Sequence, residues 1–227
     1  MPRTGIQRSA LEVVPNRKNK VNYEERMAKS RLTLQKAIPY ILAIAGIIGF
    51  ACAAIITYDK FQILENPHYI PSCNLDPIIA CGSVMQSKQA AAFGFPNPLI
   101  GLGGFAIVAT IGVGVLAGAR FKRWFWLGLN AGTVFGIGFV HWLFFESVYR
   151  IHALCPYCMV VWVVTITTFW YVTLYNIDEK HIRLGAGKPT RAYGWVRAHH
   201  LDILILWFLV IAALILKHFW YYYGHYL

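Results

Sequence analysis

The stretch HALCPYCMVVW, residues 152–162, sets Cys155 and Cys158 around a Pro-Tyr pair and runs directly into apolar sequence. Pro156 is a favoured first-turn residue, because it has no N–H to leave unpaired. Cys155 is therefore expected at a helix N-cap, where the helix dipole lowers a thiol pKa. Cys158 follows one turn further in, on the same helix face. A CxxC at the mouth of a long apolar helix sets one sulfur to meet an aqueous thiol and the other to meet something dissolved in lipid.

The apolar run that follows is one of five. Stretches 38–58, 98–119, 124–145, 156–177 and 203–222 all reach or approach the ~20 residues that cross a ~30 Å hydrocarbon core. Only 14% of the 227 residues are charged and 57% are hydrophobic, against about 25% charged in soluble domains. The fold class is therefore an all-α integral membrane protein, a four-helix transmembrane bundle plus a fifth transmembrane helix. The first span has no short basic start and reads as an anchor, not a cleaved signal. Trp124, Trp126, Trp220 and Tyr221 sit at span ends, where amphipathic rings favour the interface. No phosphate-binding glycine loop, zinc-protease motif or nucleophile elbow is present.

The net charge of +11 is topological. Residues 1–37 carry nine Lys or Arg, 119–123 three and 178–202 five, whereas Lys60, Lys88, Arg150 and Lys217 are the four on the alternate side. The positive-inside rule puts the N-terminus in the cytoplasm and the C-terminus outside a cell membrane. The counter-charge is lipid phosphate, not nucleic acid. Four segments result: a basic cytoplasmic segment 1–37, polar and disordered over 1–30; a four-helix bundle 38–177 with external loop 59–97; a cytoplasmic linker 178–202 with a Gly- and Pro-rich centre at 185–189; and a fifth helix 203–227.

Four of the five cysteines then share the external, oxidising face: Cys73 and Cys81 in the first loop, Cys155 and Cys158 at the head of the fourth span. Cys52, within the first span, reads as a small buried apolar residue. Loop 59–97 is long enough to imply a task. Its first half, with Pro67, Pro71 and Pro77, reads as irregular and mobile. Residues 82–93 read as a short in-plane helix ending at Gly94. Two cysteines on a flexible loop and two on a fixed helix make a relay that works by thiolate attack through mixed disulfides. Static disulfides, or a zinc site completed by Cys73 and Cys81 with His68 or His152 nearby, are the weaker alternatives. A CxxC ring closes too short a loop to staple a fold well, and the CxxC supplies two of a zinc ion's four ligands.

Cys73 and Cys81, then Ser87, then a span opening with Asn97 and Gly101, and last Cys155-Pro-Tyr-Cys158 together resemble the vitamin K epoxide reductase family over about residues 38–177. The resemblance implies a bundle around a quinone, menaquinone or ubiquinone, as electron-accepting substrate, with no metal. It implies that Cys158 faces the quinone, that Cys155 resolves it, and that Cys73 and Cys81 are shuttle cysteines. Ser87 and Asn97 match positions bordering the quinone pocket. Trp162 stands where animal members place Tyr, and is expected in the pocket wall. Bacterial members oxidise a thioredoxin-like (DsbA-like) extracytoplasmic protein. Many carry such a domain fused after a fifth helix, and here the partner is expected to be a separate polypeptide.

The residues alone leave other readings open. Ser87 and Asn97 are helix-capping types as well as hydrogen-bond donors. His141 is either a proton carrier or a hydrogen-bonded structural residue, and Lys88 and Arg150 read as solvated charges. A DsbB-type enzyme has the same chemistry, but its CxxC lies in the first external loop, the reverse order. An epoxide reductase running in the reductive sense, a membrane protein with static disulfides and a metal carrier complete the set.

Overall fold

The computed structural model of the chain describes residues 17–182 and 191–223. Most of those residues are helical, and five of the helices are long and apolar enough to cross a membrane. The first, α1, spans Arg17–Glu65 and is 49 residues long, about 74 Å at 1.5 Å per residue. It therefore begins well before the bilayer. The expectation of disorder over 1–30 is corrected from residue 17 onward, and residues 1–16 lie outside the described residues. NYEERMAKSRLTLQK is rich in strong helix formers, and an apolar span already nucleated propagates cheaply into such sequence. At the other end the helix runs on through Asp59–Glu65, read above as irregular loop, because no breaker occurs before Asn66-Pro67.

The rest of the first loop is built in pieces. Helix α2, Cys81–Gln86, is followed by a 3-10 turn, Lys88–Ala91, so the continuous helix expected over 82–93 is interrupted. Ser87 breaks it with an extended backbone, and its hydroxyl donates to Val84 O at 2.7 Å, the competition with helix that serine side chains offer. Gly94, at φ +83°, turns the chain. Helix α3, Pro98–Leu116, starts with proline in its first turn.

Helix α4, Arg123–Glu146, ends in a π turn at Ser147–Ile151 and a left-handed His152. Helix α5 spans Pro156–Asp178, α6 Arg191–Ala198 and α7 His200–Tyr223. Helix α1 packs against α3 and α5, and α5 against α4. The α1–α3 contact is made by small residues. A Cβ on Gly46 would lie 2.4 Å from Ala109 N, and one on Gly112 would lie 2.3 Å from Ala43 N. Close approach through small residues is how membrane helices gain packing without a hydrophobic driving force.

The fifth span, α7, and the α6 helix before it are tied to the bundle at three levels. Near one end, Arg197 of α6 pairs with Asp178 of α5 at 3.1 Å, both 3% exposed, and Tyr193 donates to the same carboxylate. At mid-helix, Trp207 Nε1 donates to His141 Nε2 at 3.1 Å. Near the other end, His218 hydrogen-bonds His152 at 2.9 Å. There Phe219 is fully buried in a cluster with Ile78, Leu154 and Trp162.

Candidate active site

The site begins with two residues that precede cysteines. Leu154 donates its N–H to Ile78 O at 2.7 Å, and Ala80 donates to Leu154 O at 3.0 Å. This short parallel bridge lays the strand leading to Cys81 against the strand leading to Cys155. Cys73 and Cys81 form a disulfide, with Cα atoms 5.7 Å apart. Cys73, Cys81 and Cys155 are buried together with Ile56, Ile63 and Met85, and Cys158 packs at the edge of the cluster.

Cys155 and Cys158 are free thiols. Cys155 is the N-cap of α5, and its sulfur accepts from Cys158 N at 3.4 Å. Hydrogen bonding from the Cys158 side chain, helped by the backbone N–H groups of Cys158 and Tyr157, lowers the Cys155 pKa below its ordinary value. Burial and the nearby Asp59 charge oppose that shift without reversing it. A sulfur at a helix N-terminus has donors pointed at it and little else to satisfy them.

Cys158 opens on the other side, into a cavity of about 510 Å³ inside the bundle. Its cysteine end is polar, bordered by Lys60, Ser87, Gln89, Asn97 and Glu146. Lys60 Nζ donates to Met85 O at 2.7 Å, and Gln89 Nε2 donates to Glu146 Oε2 at 3.1 Å. The remainder is mostly apolar, with Phe105, Ile111 and Trp162 among its walls and Thr133, Thr165 and Thr168 as polar exceptions. Glycines of facing helices, Gly104 on α3 and Gly128 and Gly132 on α4, line it, and a Cβ at any of the three would meet nothing within 4 Å. The site thus has two compartments, a buried sulfur cluster and an apolar chamber with one polar end. Cys158 belongs to both.

The residues singled out from the sequence are brought to this place. Ser87 and Asn97 line the cavity, but both are also occupied with backbone. The Ser87 hydroxyl is on Val84 O, and Asn97 donates to Gln89 O at 2.7 Å and accepts from Ala92 N at 2.9 Å. Asn97 thereby fastens the 3-10 turn over the chamber. Trp162 is buried in the wall, edge-on to Phe144 at 5.4 Å. His141 is not brought in. Its Nδ1 faces Ile137 O at 2.8 Å and its Nε2 accepts from Trp207, so it joins α4 to α7. Lys88 and Arg150 are exposed, and Cys52 is buried. Among the described residues, no group of three or more His, Cys, Asp or Glu is placed to hold a metal ion.

Lys60, Gln89, Glu146 and the buried Asp59 were missed by sequence reasoning. The available signal was an ionisable residue within helix-forming apolar sequence, which is costly unless it has a task.

A helical multi-pass membrane protein in which a disulfide and a dithiol meet beside an apolar chamber belongs to the class of membrane thiol redox proteins. The family model for the vitamin K epoxide reductase family matches residues 40–173, more than half of the chain, and the chain belongs to that family. Its members are membrane oxidoreductases of thiols and quinones. The comparison with curated proteins gives no match.

Proposed function

We propose that this chain is a thiol:quinone oxidoreductase that reoxidises a separate thioredoxin-like (DsbA-like) extracytoplasmic protein and passes the electrons to membrane quinone, supporting disulfide formation. The observation that carries the reading is the division of the CxxC. Cys155 lies buried with Cys73 and Cys81, whereas Cys158 reaches the chamber. The basic N-terminus faces the cytoplasm in this reading, so all four cysteines work outside it.

The chamber supports a quinone, because it offers a polar end for a ring with two oxygens and an apolar shaft for an isoprenoid tail. Bound quinone, menaquinone or ubiquinone, supplies an acceptor for two electrons and two protons. The chain's own residues do the rest. A partner thiolate attacks the Cys73–Cys81 disulfide. The reduced loop pair then reduces Cys155–Cys158 through a Cys81–Cys155 mixed disulfide. In the dithiol Cys158 donates its hydrogen to the Cys155 sulfur, and it gives up that proton when its own sulfur reacts at the chamber. Cys155 then closes the disulfide on Cys158. Lys60 holds positive charge at the polar end, and Ser87, Asn97 and Trp162 shape the pocket around the ring.

The test is quinol formation by purified protein supplied with a dithiol, in the wild type, Cys155→Ser and Cys158→Ser. The expected result is quinol from the wild type and none from either variant. Thiol exchange without reduction of any quinone would overturn the proposal.

A further inference from the structure

Asp59 has no part in the steps above, yet it stands among the sulfurs. It lies on α1 between Ile56 and Ile63, on the face that packs against Cys73, Cys81 and Cys155, and is 4% exposed. Tyr69 donates its hydroxyl to Asp59 Oδ1 at 2.9 Å. Oδ2 is buried and has no hydrogen-bond partner among the described residues. The neighbouring cation, Lys60, is turned away to Met85 O. An unsatisfied buried carboxylate oxygen is costly. Asp178, whose Oδ2 is also buried without a hydrogen bond, differs in having the Arg197 guanidinium 3.1 Å from that oxygen and Tyr193 on its Oδ1. Asp59 has a tyrosine and an open oxygen. Its negative charge also acts on Cys155, opposing that thiol's ionisation.

We propose that Asp59 is the proton-holding group for exchange between the Cys73/Cys81 pair and the Cys155/Cys158 pair, with Tyr69 as the residue that positions its carboxylate. The inference rests on the function proposed above. In the first step the Cys81 thiol gives its proton to Asp59. Its sulfur attacks Cys155, the Cys81–Cys155 bond forms, the Cys155–Cys158 bond breaks, and the electron pair leaves on Cys158. In the second step Cys73 loses its proton to water and attacks Cys81. The Cys73–Cys81 bond forms and Cys155 leaves with the electron pair of the mixed disulfide. Asp59 then returns its proton to the Cys155/Cys158 pair, which holds it between the two sulfurs. Two electrons have moved from loop to CxxC, and one proton has gone to water and one to the CxxC pair. By this route the Cys81 thiolate forms without proton transfer to bulk solvent.

The experiment uses the full chain in lipid nanodiscs, fully oxidised, mixed with one equivalent of a small dithiol, then acid-quenched and alkylated so that mass reports which pair holds the electrons. Rates are taken across pH for the wild type, Asp59→Asn, Asp59→Glu and Tyr69→Phe. The groups around Asp59 are Tyr69, Cys73 and Cys81 from the loop and Cys155 from the head of α5, while Tyr58 and Lys60, next to it on its own helix, point elsewhere. Arrival at Cys155/Cys158 is expected to slow about a hundredfold in Asp59→Asn at neutral pH, the lower end of what positioned proton transfer contributes. The deficit should narrow as pH rises and Cys81 ionises unaided. Asp59→Glu should recover most of the rate, and Tyr69→Phe should shift the profile in the same sense by less. An Asp59→Asn protein with the wild-type rate and profile overturns the relay, as does a loss that is the same at every pH. If Asp59→Asn does not fold, an unshifted Tyr69→Phe profile overturns it. A wild-type chain that never moves electrons from loop to CxxC would instead fail the proposed function itself.

Discussion

Ala80 and Leu154 share a backbone hydrogen bond of 3.0 Å, and each is the residue immediately before a cysteine. The bond lies between a loop and a helix head that are far apart in the chain. It sets Cys81 and Cys155, both fully buried, one residue out of register on the paired segments, since Leu154 pairs with Ile79 and Cys155 therefore stands opposite Ala80, next to Cys81. Cys73 reaches the same cluster through its disulfide to Cys81.

Trapping should therefore favour one mixed disulfide. A Cys73→Ser/Cys158→Ser variant is expected to accumulate a Cys81–Cys155 bond on mild oxidation, read by mass spectrometry of non-reduced peptides. Cys81→Ser/Cys158→Ser, which leaves Cys73 facing Cys155, should form its bond more slowly. Equal rates would mean that the bridge does not direct the pairing.

Filling the chamber should separate quinone chemistry from thiol chemistry. Gly104 and Gly132 line it with open space where a Cβ would stand, so Gly104→Leu or Gly132→Leu adds volume without an immediate clash. Quinol formation is expected to fall at least about tenfold, equivalent to about 1.4 kcal/mol. Exchange between the dithiol and Cys73–Cys81 should be unchanged. Loss of both activities would point to a folding defect.

The lowered Cys155 pKa fixes a sign for pH dependence. A thiol ionises as pH rises, so a depressed value brings the thiolate in at lower pH than the ~8.5 of a free cysteine. Thiolate absorbance lost on Cys155→Ser should titrate below that value. Reduction of quinone by the dithiol form should fall on acidification, and at lower pH than for a thiol of ordinary pKa. A titration at or above the ordinary thiol range would contradict the N-cap arrangement.

At the α5–α6 end, the Arg197–Asp178 pair is buried on both sides. Arg197→Ala leaves the Asp178 carboxylate without its cation, which is expected to destabilise by about 3–5 kcal/mol. Pairing it with Asp178→Asn should recover part of that loss. Thermal unfolding in detergent, followed by circular dichroism, measures both.

Phe219 is fully buried beside Leu154, Ile78 and Trp162, so the fifth span supports both the bridge and the chamber wall. Phe219→Ala is expected to cost about 3–5 kcal/mol, as large-to-small core changes do. It should also slow quinol formation more than removal of an exposed neighbour such as Trp220, which is 59% exposed. Equal effects would reduce the fifth span to an anchor.

The five spans, the helix start at Cys155-Pro156 and the four cysteines were legible in the sequence because each depends on local properties. Apolar length meets bilayer thickness, proline favours a first turn, and an N-cap exposes N–H groups. The extent of α1 at both ends was misread. Polarity before the span and prolines after it drew attention away from helix propensity, which governs residues between a nucleated span and the first real breaker. Ser87 and Asn97 were found as chamber residues, but their backbone partners were not, since those bonds depend on how the 3-10 turn folds back.

What only the tertiary structure decided is non-local. No spacing rule pairs Ala80 with Leu154, sends Cys158 into a chamber while Cys155 joins the loop disulfide, or turns Asp59 inward to leave one oxygen open. Those outcomes follow from which helix faces meet when α1 packs on α3 through Gly46 and Gly112, and on α5. A sequence states which residues are apolar or reactive. Their burial and their partners are properties of contacts between segments remote in the chain, and those contacts place the chemistry.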